Sequence, residues 1–119
     1  MHVDDLGEAC VFALEYWDPD APDAPHDDAG QPLPFLNVGT GVDLTIRELA
    51  DKVAAAINYK GDIEWDETKP DGTPRKQLYT GRLKELGWEP RISLDVGLGE
   101  TFKIFREDLR GKRIREGGN

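Results

Sequence analysis

The chain has 119 residues, of which 38% are hydrophobic and 33% are charged, a composition typical of one globular domain. Its net charge of −9 argues against nonspecific binding to nucleic acid or to an anionic membrane, because both need a cationic face. No apolar run approaches the roughly 20 residues that span a bilayer, the amino terminus lacks a secretory signal pattern, and the single cysteine fits a reducing cytoplasm.

An apolar stripe at helical spacing predicts a first helix over residues 4–17, with Asp4 or Asp5 as its N-cap. Its inward face would consist of Leu6, Ala9, Cys10, Ala13, Leu14 and Trp17. Because Cys10 lies on this stripe, we expect a buried, inert thiol. Residues 18–34 follow with five aspartates, five prolines and no lysine or arginine, which indicates a mobile surface loop.

The middle of the chain alternates strand-like and helix-like runs. Residues 35–38 predict a short buried strand, and residues 62–66 alternate with the period of a half-exposed strand. Between them, Thr45 and Glu48 form a capping-box pattern that predicts a helix over 46–57.

Two further helices are predicted in the last third of the chain. The first spans 81–86, with Thr80 as its cap and Gly87 as its stop, and Ser93 caps the second. The inward face of the final helix would consist of Leu94, Leu98, Phe102, Phe105 and Leu109. The order α-β-α-β-α-α indicates an α/β fold class with too few strands for a complete doubly wound sheet.

The loop Lys69-Pro70-Asp71-Gly72-Thr73-Pro74-Arg75-Lys76 is the strongest candidate for a binding site. Its prolines fix φ, and its Asp-Gly pair favours a turn, so the loop is stiff and irregular. Asp71, Arg75 and Lys76 together could hold a phosphorylated, polyhydroxylated ligand. The alternative is a solvated connection whose charges bind nothing, and spacing alone favours that interpretation.

Other chemistries have weaker support. His2, Asp4 and Asp5 could be metal ligands, but a helix cap beside a solvated histidine is favoured because no second ligand cluster accompanies them. The glycine-rich run 39–41 could hold a phosphate, although a tight turn fits it better. Trp65 and Trp88 could stack on a base or sugar, but such residues more often pack in a core. No catalytic constellation and no metal site can be assembled from these residues.

Several motifs together resemble the carboxyl-terminal third of the GDP-L-fucose synthase family, in the extended short-chain dehydrogenase/reductases. The resemblance runs from His2 to about Phe105 and is carried most specifically by the loop 69–76. The other matching runs are His2-Val3-Asp4-Asp5-Leu6, Leu36-Asn37-Val38-Gly39-Thr40-Gly41, Thr45-Ile46-Arg47-Glu48-Leu49-Ala50, Tyr59-Lys60-Gly61 and Leu86-Gly87-Trp88.

The resemblance implies an organisation and a site. Residues 1–58 would be the edge of a Rossmann layer, 59–110 a substrate-binding lobe, and the whole chain a single domain. Family members epimerise and reduce GDP-4-keto-6-deoxy-D-mannose with NADPH, and the resemblance gives GDP-sugar contacts to Asp71 and Lys76, with Arg75 beside them. Tyr79 departs from the family, which has an aspartate there.

The resemblance also implies what this chain lacks. The glycine-rich NADP loop and the catalytic residues of the family have no counterpart here, so no cofactor site and no catalysis by this chain alone are expected. Without most of a Rossmann lobe, the apolar faces of the helices 4–17 and 46–57 would be uncovered. We therefore expect a cytoplasmic homo-oligomer or partner-docking module that buries those faces.

Overall fold

The computed structural model describes residues 1–70, 72–73, 75 and 77–111. They form four helices: α1 (Val3–Tyr16), α2 (Ile46–Ala56), α3 (Gly81–Glu85) and α4 (Leu94–Arg110). All four predicted helices are confirmed, and the predicted ends of the first three are within one residue of the observed ones. Among the described residues, no helix combines the length and apolar character needed to cross a membrane.

The chain divides into two compact units, each built from two separate stretches of sequence. The first unit consists of Met1–Asp43 and Pro70–Ile92, and contains α1 and α3. The second consists of Leu44–Lys69 and the chain from Ser93 onward, and contains α2 and α4.

The core of the first unit is a cluster of side chains from α1, from α3 and from the residues just after α3. Ala9, Leu83 and Trp88 are 1%, 2% and 5% exposed, and the partly buried side chains that pack against them are Phe12, Leu36 and Val38. The predicted stop is confirmed: Gly87 has φ +105°, the amide of Trp88 donates to the carbonyl of Leu83 at 3.1 Å, and the amide of Gly87 donates to that of Lys84 at 2.9 Å. This C-cap motif places Trp88 directly against Leu83.

A buried carboxylate joins the two stretches of the first unit. Asp5 is 1% exposed, and its Oδ1 and Oδ2 accept hydrogen bonds from the backbone amides of Arg91 and Ile92, both at 3.0 Å. The predicted cap of α1 by Asp4 or Asp5 is therefore wrong. His2 is the N-cap, and its Nδ1 accepts from the amide of Asp4 at 3.3 Å.

The predicted inward face of α1 is only partly right. Ala9 is buried, but Leu6, Cys10 and Leu14 are exposed, Leu14 by 87%. The expectation of a buried Cys10 thiol is therefore wrong. The helix turns a different face inward because the described residues pack Leu83 and Trp88 against the side that carries Ala9 and Phe12.

The acidic segment 18–34 contains no helix or strand, as predicted, but it does contain packed residues. Asp27 Oδ1 accepts from the amide of Gln31 at 2.8 Å, which closes a turn. Ala24 and Leu33 are 7% and 6% exposed. The segment is therefore a hydrogen-bonded loop in which two side chains are buried.

The two predicted strands are absent from the described residues. Segments 35–38 and 62–66 form no ladder, because neither has a neighbouring extended segment to pair with in that part of the chain. Leu36 and Val38 of the segment 35–38 instead pack against the core of the first unit. The observed order of described elements is therefore four helices without strands, which corrects the predicted α-β-α-β-α-α order.

The second unit pairs α2 with α4. The predicted capping box is present: Glu48 N–H donates to Thr45 Oγ1 at 3.1 Å, and Thr45 N–H donates to Glu48 Oε2 at 2.7 Å. An ion pair joins the helices, with Lys52 Nζ 2.7 Å from Asp95 Oδ1. At the end of α2, Asn58 has φ +56°, which allows the chain to turn.

The predicted start of α4 is confirmed, but two of the five residues of its predicted inward face are exposed. Ser93 Oγ accepts from the amide of Val96 at 3.3 Å, which caps the helix. Leu98 and Phe102 are half-buried, whereas Phe105 and Leu109 are 47% and 50% exposed. The carboxyl-terminal half of α4 thus presents apolar side chains to solvent.

Candidate functional site

A shallow groove in the first unit lies beside the end of the predicted binding loop. Its volume is about 590 Å³, and we call it the Arg75 groove. The lining residues are Gly41, Arg75, Gln77, Leu78, Tyr79, Thr80 and Gly81. It therefore combines a guanidinium, an amide, a phenol ring and a hydroxyl, which are groups that bind phosphates, sugars and bases.

A chain of polar contacts fixes one wall of this groove. The Gln77 side-chain amide donates to the carbonyl of Gly41, and its oxygen accepts from Nη2 of Arg75. Arg75 Nε in turn lies 3.5 Å from Asp43 Oδ2. These contacts connect the segment after residue 38 to the end of the binding loop, and they hold the guanidinium in place.

The residues just before α3 form the second wall of the groove. Asn37 Nδ2 donates to the carbonyl of Tyr79 at 3.2 Å, which anchors the chain there. The phenol of Tyr79 lies so close to Gly81 that a side chain at 81 would overlap it. Thr80 occupies the predicted cap position, but its side chain makes no capping hydrogen bond. The start of α3 is thus shaped by an aromatic ring.

Only one of the three predicted contact residues can be located. Arg75 lies in the groove, and its side chain is 69% exposed. Asp71 and Lys76 lie outside the described residues. Sequence reasoning missed Gln77 and Asn37, whose roles come from contacts across 36 and 42 positions of the chain. No local signal in the sequence could have revealed them.

The family cofactor NADP does not fit the glycine-rich run that precedes α2. Gly41 has φ +69°, and the amide of Val42 donates to Thr40 Oγ1 at 3.3 Å, so the run forms a tight turn. In the second unit, the Glu48 carboxylate accepts from the amide and hydroxyl of Thr45, so a negative charge already occupies the amino terminus of α2. A diphosphate at that helix end would meet electrostatic repulsion.

The contacts of Glu48 also shift its acidity. Hydrogen bonds from the Thr45 backbone and then from its hydroxyl hold the pKa of Glu48 below its ordinary value, and Lys52 adds to this. The carboxylate therefore stays ionised to a lower pH than a glutamate without these hydrogen bonds would.

The remaining candidates have structural roles in the described residues. His2 caps α1, Asp5 binds two backbone amides, and no group of three potential metal ligands occurs in the part of the chain that is described. Trp88 is buried core. Trp65 is 37% exposed and carries the guanidinium of Arg47 4.5 Å from its ring centre, which fills one side of the ring.

Known proteins resemble most of this chain. No family model matches it. The GDP-L-fucose synthase of Escherichia coli K12 is 44% identical over 108 residues, which is 91% of this chain and 32% of that protein. GDP-L-fucose synthase 1 of Arabidopsis thaliana is 42% identical over 109 residues, or 92% of this chain and 30% of that protein. The chain thus spans about 30% of the length of the relatives it matches.

A solved structure shares the fold. The crystal structure of a GDP-6-OMe-4-keto-L-xylo-heptose reductase from C. jejuni has a TM-score of 0.79 and 24% sequence identity. The match covers 91% of this chain and 30% of the reductase chain. The resemblance predicted from the motifs is confirmed by the sequence comparisons: the chain is similar to GDP-L-fucose synthases over about 30% of their length.

Proposed function

We propose that this chain is the GDP-sugar-binding portion of a GDP-L-fucose-synthase-like epimerase/reductase, and that it does not catalyse the reaction alone. The observation that supports this proposal most directly is the Arg75 groove, where contacts to Asp43 and Gln77 hold the guanidinium of Arg75. The family relationship supplies the ligand class, because the relatives at 42% and 44% identity are GDP-L-fucose synthases.

The groove suits an anionic, polyhydroxylated ligand. Arg75 uses Nε toward Asp43 and Nη2 toward Gln77, and within the described residues its Nη1 has no partner. A guanidinium fixed in this way loses little conformational freedom when it binds a phosphate oxygen. The exposed ring of Tyr79 and the hydroxyl of Thr80 lie in the same groove and offer a stacking surface and a hydrogen bond.

The family resemblance completes the proposed site. Lys76 would place a second positive charge on the diphosphate, and Asp71 would accept hydrogen bonds from hydroxyls or base N–H groups. Residues 59–110 would form most of the substrate lobe and residues 1–58 the edge of the Rossmann layer. The NADP-binding site and the catalytic groups would lie in polypeptide outside the 119 residues, since hydride transfer needs both the cofactor and those groups.

Calorimetry with GDP and with GDP-mannose tests this proposal on the full chain. We expect measurable binding of both, because the GDP moiety carries the charge. Lys76→Ala and Arg75→Ala should each weaken binding about tenfold or more, the effect of losing one charge-assisted hydrogen bond. Arg106→Ala, an exposed cation in α4, changes the net charge equally and should leave binding unchanged.

Two results would contradict the proposal. Absence of binding heat at millimolar GDP-mannose would refute the proposed binding function. Equal affinities for the native chain and both variants would refute the assignment of binding to Arg75 and Lys76. NADPH-dependent turnover of the keto sugar by the purified chain would overturn the statement that it is not catalytically competent alone.

A second candidate function is self-association or partner docking without retained sugar-nucleotide binding. The exposed apolar side chains of α1 and α4 favour it, above all Leu14 at 87% and Ile104 at 54% exposure. A Leu14→Glu variant should lower the mass measured by light scattering if the α1 face is buried in an oligomer. A monomeric mass for the native chain at micromolar concentration would count against this candidate.

A further inference from the structure

A second groove in the first unit lies between the carboxyl-terminal half of α1 and residues 87–91. Its volume is about 680 Å³, and we call it the α1 groove. Phe12, Tyr16 and Trp88 supply aromatic rings to its lining, with the rings of Phe12 and Tyr16 centred 5.0 Å apart. It is separate from the Arg75 groove, because the two share no lining residue.

The charges around the α1 groove are mainly negative. Glu8, Glu15 and Glu89 line it, against a single lining cation, Arg91. Arg91 Nη1 lies 3.0 Å from Glu8 Oε1, and Lys84 Nζ lies 2.5 Å from Glu89 Oε1. Glu15 makes no ion pair with any described residue. The groove therefore retains at least one uncompensated carboxylate beside its aromatic rings.

The helix itself adds to this preference for cations. The groove lies along the last turns of α1, where the helix dipole is negative, and the last turn contains no basic residue. The sequence around it offers no compensation either, since residues 1–46 contain ten aspartates and glutamates and no lysine or arginine. Aromatic rings, carboxylates and a helix carboxyl terminus all favour the same ligand, a cation with an aliphatic stem.

The matching chemistry occurs at the other end of the same sequence. Residues 110–115 carry four cations in six positions, Arg110, Lys112, Arg113 and Arg115, with Ile114 among them. We propose that the α1 groove of one copy binds the basic segment 110–115 of a second copy. Arginine would stack on the rings and pair with Glu15, and the isoleucine would find apolar lining.

Such a contact joins two different surfaces, so it is heterologous and each bound pair still offers one free groove and one free segment. The mass should therefore increase progressively with concentration. The contact is also distinct from the exposed apolar stripe of α1, since Leu14 lies roughly 200° around the helix from Phe12 at about 100° per residue. It does not depend on sugar-nucleotide binding.

Charge reversal at either end tests the contact in full-length chains. One variant carries Glu15→Lys, and the other carries Lys112→Glu, Arg113→Glu and Arg115→Glu. We expect sedimentation to show concentration-dependent association of the native chain at low salt, weakened by 0.5 M NaCl. Each variant alone should associate at least about tenfold more weakly, because several charge pairs are lost or made repulsive.

Mixing the two variants with each other provides the decisive measurement. The Glu15→Lys chain keeps a native basic segment and the reversed-tail chain keeps a native groove, so an equimolar mixture should form a 1:1 heterodimer through these two native surfaces. Circular dichroism should show native helix content in both variants. A native chain that stays monomeric at 100 μM in low salt, undiminished association of the reversed-tail variant, or a mixture without a heterodimer would each overturn the proposal.

Discussion

Replacing Asp5 by asparagine tests the contact that joins the two stretches of the first unit. The two carboxylate oxygens each accept a backbone N–H at 3.0 Å, and the side chain is 1% exposed. Asparagine has almost the same shape, but it offers one acceptor oxygen and turns an NH₂ donor toward the second amide. The change therefore removes one hydrogen bond and creates a clash of donors without creating a cavity.

The magnitude follows from these two bonds. A hydrogen bond to a charged group contributes about 1.5–3 kcal/mol, and a buried unpaired amide adds a desolvation cost of similar size when it finds no water. We expect Asp5→Asn to lower the free energy of unfolding by about 2–4 kcal/mol. This is a large part of the total of about 5–15 kcal/mol that is usual for a domain. Asp4→Asn is the matched control; its exposed carboxylate acts mainly on the helix dipole, worth about 0.3–1 kcal/mol.

Urea unfolding followed by circular dichroism measures the difference, and amide hydrogen exchange locates it. We expect the amides of Arg91 and Ile92 to lose protection in Asp5→Asn and to keep it in Asp4→Asn. If Asp5→Asn unfolds within 0.5 kcal/mol of the native chain and both amides remain protected, the buried carboxylate does not stabilise the unit as argued.

Three further changes test the core, a turn and a helix cap. Leu83→Ala removes a side chain that is 2% exposed and should cost about 2–5 kcal/mol in urea unfolding, whereas a cost under 1 kcal/mol would contradict its core role. Gly87→Ala meets no atom within 4 Å but holds φ +105°, so about 1–2 kcal/mol of backbone strain is expected without a steric clash; unchanged stability would refute that origin. Thr45→Ala should cost about 1 kcal/mol by loss of the N-cap. Because Thr45 holds the pKa of Glu48 below its ordinary value, the stabilisation by Glu48 is present above the unfolded-state pKa and is lost as the pH falls through the lowered one. In an NMR titration of Thr45→Ala the pKa of Glu48 should rise by the part that the hydroxyl contributes, since the backbone hydrogen bond is retained, and an unmoved value would disprove the role of the hydroxyl.

The sequence marks the loop next to the Arg75 groove as a candidate site, but it does not reveal the contacts that form the groove. The stiff loop ending at Arg75 and Lys76 stands out in the sequence because prolines, an Asp-Gly pair and cations coincide there. The wall opposite the loop depends on Gln77 bonding to Gly41 and on Asn37 bonding to Tyr79. Single glutamines and asparagines carry no pattern, so their partners could not be read from the sequence.

Local sequence signals were sufficient to predict where α2 and α4 begin and where α3 ends. The capping residues Thr45 and Ser93 bond to amides three residues away, and Gly87 ends α3 through its own backbone freedom. These interactions span one turn of helix, so they are complete within a few residues of sequence. The same locality explains why predicted helix ends lie within one residue of the observed ones.

The tertiary structure alone decided which surfaces are buried. Periodicity marked a stripe with Cys10 and Leu14 on α1 as inward, yet the helix buries the side of Asp5 and Ala9. That choice depends on Trp88 and on backbone amides 86 and 87 positions away. The prediction of strands over 35–38 and 62–66 was wrong for the same reason. A strand needs a hydrogen-bonded neighbour, and an apolar or alternating run carries no information on whether that neighbour exists.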